Sequence, residues 1–89
     1  MITQDDVQFY LDKGYSIHSH SGDYTTYWLS KNGLNLKLVE DDNNIYASFE
    51  SQLLTYCICL HLEKFMHKHP KFDIFERQMF YYQNKLKKD

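Results

Sequence analysis

Cysteine, proline, glycine and arginine are all scarce in this 89-residue chain, which carries two Cys, one Pro, three Gly and the single arginine Arg77. Two cysteines are too few for the disulfide scaffold of a small secreted domain. Three glycines leave none for a phosphate-binding loop once turns and helix ends have taken theirs. No apolar run approaches the roughly 20 residues of a membrane-spanning helix. The opening Met1-Ile2-Thr3-Gln4-Asp5-Asp6 is acidic and polar, unlike the cationic and apolar start of a secretory signal. Together these absences predict a cytoplasmic chain that makes no membrane contact.

What is abundant is aromatic: eight Tyr, six Phe and one Trp, 17% of the chain. With 43% apolar and 25% charged residues the chain can bury a core. Its length predicts one domain spanning 1–89. The net charge of −2 is unevenly spread, with −5 on residues 1–50 and +3 on residues 51–89.

Local signals predict the element order α-β-β-β-β-α-α. Thr3 and Asp6 have the spacing of a capping box, with Ile2 and Val7 as a hydrophobic staple, so a helix is expected over 4–13. Gly14 ends it, with Tyr15 packing back on Tyr10. Asn32-Gly33 is a two-residue hairpin signal that pairs Lys31 with Leu34, Leu29 with Leu36 and Tyr27 with Leu38. A second turn at Glu40–Asn44 pairs Asp41 with Asn44, Leu38 with Ala47 and Leu36 with Phe49. A three-residue loop at His20-Ser21-Gly22 would pair Ile17 with Thr25 and Tyr15 with Tyr27. All three turns place one apolar set on one face: Tyr15, Ile17, Tyr27, Leu29, Leu36, Leu38, Ala47 and Phe49.

Beyond the sheet, an apolar helix is expected from Leu53 to Met66, ending near His69 before Pro70 and covering the Leu36/Leu38/Phe49 face. A last helix over 72–87 repeats Phe72, Phe75, Met79, Tyr82 and Leu86 as a buried seam. The fold class is therefore α+β, an antiparallel meander packed against a C-terminal helical hairpin.

Three constellations carry chemistry. Cys57 and His61 share a helix face at i, i+4, and His18 and His20 share a strand face, but Cys59 points away from Cys57. No CxxC or HExxH accompanies them. A zinc-stabilised fold is thus the third reading, and the expectation is no metal and no cofactor. Buried thiols are inert, and no nucleophile has an evident base, so no enzyme is expected.

The second constellation is the polar face of the sheet: His18, His20, Tyr24, Thr26, Trp28, Asn35, Lys37, Val39, Tyr46 and Ser48. Trp and Tyr dominate protein contacts, so Tyr24, Trp28, Lys37 and Tyr46 are candidate anchors, with Phe80 and Tyr81 on the last helix. The leading reading is a non-enzymatic interaction domain (regulator, inhibitor or accessory subunit) that binds another protein or a second copy of itself. The third constellation is the cationic face Arg77, Tyr81, Lys85 and Lys88, which fits phosphates and a stacked base. Nucleic-acid binding is the alternative reading, without a GxxG loop or an aromatic RNA-binding run to support it.

Overall fold

Two tight turns organise the sheet. The computed structural model describes residues 1–50 and 64–86. At Asn32-Gly33 both residues have positive φ, 50° and 84°, and the same is true of Asp42 (51°) and Asn43 (68°). Paired positive φ values are the signature of a type I′ hairpin, whose twist matches that of the flanking strands. These turns join β2 (Thr26–Lys31), β3 (Leu34–Asp41) and β4 (Asn44–Glu50). The register follows the expected pairs, with Leu29 opposite Leu36, Tyr27 opposite Leu38, Leu36 opposite Phe49 and Leu38 opposite Ala47.

The first hairpin differs from expectation. β1 (Ser16–His20) pairs Ser16 with Ser30 and Ile17 with Leu29, then after a bulge Ser19 with Trp28 and His20 with Tyr27. The expected pairs Ile17–Thr25 and Tyr15–Tyr27 do not form. Side chains build the intervening loop and lengthen it. Ser21 Oγ donates to Asp23 Oδ1 at 2.8 Å and accepts the Thr25 and Thr26 amides at 3.2 and 3.0 Å. Such side-chain turns compete with the tighter loop that Gly22 offered, and Tyr24 takes the positive φ of 59° instead. Ile17 is left 43% exposed. Tyr15, Tyr27, Leu29, Leu36, Leu38, Ala47 and Phe49 are buried as expected.

Helix α1 (Gln4–Leu11) begins at the expected capping box. The Thr3 amide donates to Asp6 Oδ2 at 2.9 Å, and the Asp6 amide donates to Thr3 Oγ1 at 3.4 Å. It ends in paired bonds from the Tyr15 amide to the Tyr10 carbonyl and from the Gly14 amide to the Leu11 carbonyl. Gly14 holds φ +99°, the left-handed conformation that this ending requires. Tyr15 then meets Tyr10 edge to face at 6.0 Å.

The helix expected over Leu53–Met66 lies mostly outside the described residues, but its end is corrected. Phe65 and Met66 form a short strand, β5, antiparallel to β4, with Met66 opposite Tyr46 and Phe65 opposite Ala47. The His67 amide extends the ladder to the Ile45 carbonyl at 2.7 Å. Pairing with β4 and packing of Phe65 on Phe49, Phe72 and Phe75 outweigh helical periodicity here. The described residues thus form two helices, where three were expected, and a five-stranded antiparallel sheet in the order β1-β2-β3-β4-β5.

Helix α2 (Phe72–Leu86) packs on the same sheet face as α1, and not on a preceding helix among the described residues. Phe72 is the hub, ringed by Phe9, Tyr10, Tyr15, Phe49 and Phe65 at 5.5–6.3 Å. Met79 is buried as expected, but Gln83 is buried next, with Tyr82 half-buried. Gln83 Nε2 donates to the Asn32 carbonyl at 3.1 Å, which ties the helix to the β2–β3 turn. No helix among the described residues is long and apolar enough to cross a membrane.

Candidate functional site

The strand period places Trp28, Lys37, Val39 and Tyr46 on the sheet face opposite α1 and α2. Trp28 lies across from Lys37, and Val39 across from Tyr46. The Lys37 ammonium sits 5.9 Å from the Trp28 ring centre, and that of Lys64, just before β5, sits 4.1 Å from the Tyr46 ring. Lys64 also pairs with Asp41 at 3.2 Å. A cleft of about 320 Å³ opens along β4 and is lined by Lys37, Val39, Tyr46, Ser48, Glu50 and Lys64 among others. Trp28, Lys37, Val39 and Tyr46 are half-buried. Among the described residues Lys37 has no carboxylate partner.

Other candidates fall elsewhere. Tyr24 is 42% exposed but stacks on His20 at 4.7 Å, and His20 lies opposite Tyr27 on the helix side of the sheet. The bulge in β1 moves this pair off the Trp28 face, correcting the expected grouping. Phe80 is half-buried and packs against the core, with the Lys31 ammonium 5.8 Å from its ring. Tyr81 is 60% exposed, on an outward stripe of α2 with Ile74, Arg77 and Lys85. Lys88 lies outside the described residues.

Of the two acids of α2, Glu76 leaves the exposed surface and Asp73 stays on it. Glu76 turns inward, accepting the Tyr15 hydroxyl at 2.7 Å and pairing with Lys31 at 3.4 Å. Asp73 pairs with Lys13 at 2.9 Å. Burial, and then the Glu76 hydrogen bond and charge, push the Tyr15 phenol far above its ordinary 10.0. Nothing in the helix's own spacing reveals these partners, which come from β2 and the link between α1 and β1.

One cluster escaped sequence reasoning. His67, which the sequence places just before the expected helix end at His69, has a side chain only 8% exposed. Its Nδ1 lies 3.2 Å from the Tyr10 hydroxyl and its Nε2 lies 3.2 Å from Asp6 Oδ1, out of line for a hydrogen bond. Phe9 closes over the ring edge at 5.5 Å. Burial pushes the imidazole below its ordinary 6.5 against the attraction of Asp6, with Lys68 adding to the depression. Burial raises Asp6, but the Thr3 amide and hydroxyl, His67 and Lys68 outweigh it and hold the carboxyl below 3.8. Tyr10 has no exposed surface, and burial pushes its phenol well above 10.0. A sealed tyrosine, a carboxylate and an imidazole here join α1 to the end of β5.

No group of three His, Cys, Asp or Glu among the described residues is placed to hold a metal. His18 and His20 each engage a neighbouring serine, His18 through the Ser19 hydroxyl and His20 through the Ser21 carbonyl. Cys57, Cys59 and His61 lie outside the described residues. No protein-family model, no curated protein and no solved structure matches this chain.

Proposed function

We propose that this chain is a non-enzymatic interaction domain that docks a partner protein on the outer sheet face. One observation carries the reading: Trp28, Lys37, Val39 and Tyr46 form an aromatic and cationic strip beside a cleft, on the face that neither α1 nor α2 covers. Aromatic anchors beside a pocket concentrate binding energy. The partner surface that fits presents an apolar side chain to the cleft and a carboxylate to Lys37.

Trp28 is the only tryptophan and serves as a direct reporter. Candidate partners come from affinity capture in parallel with wild type, Trp28→Ala and Lys37→Glu. A true partner shifts the Trp28 emission of the wild type. It binds Trp28→Ala at least about 30-fold more weakly, the loss of about 2 kcal/mol typical of an anchor. Partners bound equally by all three proteins overturn the reading. A second copy of the chain is the occupant if light scattering shows a dimer that Lys37→Glu dissolves.

A second reading is favoured by the inward turn of Glu76 and the pairing of Asp73 with Lys13. These leave Arg77, Tyr81 and Lys85 as an outward face suited to phosphates and a stacked base. Labelled single-stranded DNA or RNA at about 50 mM salt tests it, since phosphate contacts are strongest at low salt. Binding lost in Arg77→Glu supports it, and no binding removes it.

A further inference from the structure

β5 is the most weakly founded element of the sheet, two residues long with two ladder pairs to β4. Its far end is secured by His67, whose amide bonds the Ile45 carbonyl and whose ring enters the pocket formed by Phe9, Tyr10 and Asp6 of α1. β5 is thereby held to the sheet by the His67 amide and to the first helix by the His67 imidazole. Its near end carries Lys64, which lines the cleft and contacts Asp41 and Tyr46.

The hydrogen-bond inventory of this pocket suits a neutral ring better than a charged one. Tyr10 has one hydroxyl proton, and with the ring neutral and its own proton on Nε2, toward Asp6, His67 Nδ1 accepts it at 3.2 Å. The Lys68 backbone amide faces the same phenol oxygen. If Nδ1 takes up a proton, it becomes a donor, and the tyrosine must turn its own proton away. Tyr10 is fully buried, so that proton has no water to turn to. Asp6 attracts the imidazolium, but its Oδ2 is already committed to the Thr3 amide and hydroxyl, and its Oδ1 lies out of line with Nε2. Lys68, adjacent in the chain, opposes a second positive charge. Phe9 and the Ile45 carbonyl bring no charge.

We infer that His67 is an acid-sensitive latch: neutral, it locks β5 between β4 and α1, and protonated, it leaves the pocket and frees β5. Release of β5 also withdraws Lys64 from the cleft, so a partner held there is let go on acidification. That last consequence rests on the interaction reading above, whereas the latch does not.

The test is an NMR titration of the full chain, labelled with ¹³C and ¹⁵N, from pH 7.5 to 4.5. The expected result is an imidazole midpoint for His67 below 6.5. The amide exchange of Met66 and His67, corrected for intrinsic pH dependence, should accelerate below pH 6.5 by up to about tenfold per pH unit, the limit for one proton. The amides of Leu29 and Leu36 should not follow. In His67→Gln the acceleration should vanish. Should that variant fail to fold, the wild-type titration decides alone. A His67 midpoint at or above 6.5, or β5 amides indifferent to His67 titration, overturns the latch. If β5 stays shut at low pH while Trp28-dependent contact persists, the latch alone falls. If β5 opens and no partner binds, the latch stands and the interaction reading falls.

Discussion

Asp6 is used twice. One carboxylate oxygen closes the cap of α1, and the other faces the His67 ring. Asp6→Ala is therefore expected to cost more than Thr3→Ala. A lost cap alone is worth about 1 kcal/mol, and the Asp6 variant loses in addition the carboxylate that faces the buried His67 ring. Urea unfolding of the two variants checks this, and equal losses would mean that the His67 contact contributes nothing. Trp28 and Leu36 form a second contrast. Leu36 is buried beneath the helices, and Leu36→Ala should cost about 2–5 kcal/mol. Trp28 is half-buried on the other face, so Trp28→Ala should cost about 1–2 kcal/mol, well short of a sealed aromatic. A loss at Trp28 as large as that at Leu36 would place it in a second core and remove it as an anchor.

At the scale of elements, the inward and outward faces of α2 should respond differently. Glu76→Ala strands both the Tyr15 hydroxyl and the Lys31 ammonium and is expected to cost about 1–3 kcal/mol. Arg77→Glu and Lys85→Glu alter exposed positions and should stay within about 0.5 kcal/mol. Thermal melts of the three variants are sufficient to check this. The same elements show what a sequence makes legible. β2, β3 and β4 were readable because their loops are two residues long and their side chains alternate strictly, so one register satisfies both turns. β1 was misread because Ser21 and Asp23 write the loop through their side chains, and glycine count says nothing about such bonds. β5 was hidden inside an apolar run, since its strand character comes from Ala47 and Tyr46, distant in sequence. The Trp28–Lys37–Tyr46 face followed from alternation alone. The His67 pocket did not, because 57 residues separate His67 from Tyr10.

The molecule as a whole should be stable over a bounded pH range. His67 is depressed in the fold, so the unfolded chain binds its proton first, and stability is lost as pH falls below 6.5. Asp6, held below 3.8, adds a further loss as its carboxylate is protonated at lower pH. Tyr10 and Tyr15 resist ionisation in the fold, so stability should also fall as pH rises beyond 10.0, where the unfolded chain ionises freely. Urea midpoints across pH 4–11 test both limbs. His67→Gln should flatten the limb between pH 6.5 and 5, and Tyr15→Phe should soften the alkaline one. In an absorbance titration at alkaline pH, at least two of the eight tyrosines should ionise only as the protein unfolds.

The bulge in β1 has a consequence at high concentration. Among the described residues β1 is an outer strand of the sheet, with Ile17 exposed along it. A flat strand there would be a template on which further copies add, strand upon strand, into fibres. The irregularity between Ile17 and Ser19 breaks the regular ladder that such growth requires. The misplaced register of one hairpin is thus also a safeguard against open-ended polymerisation.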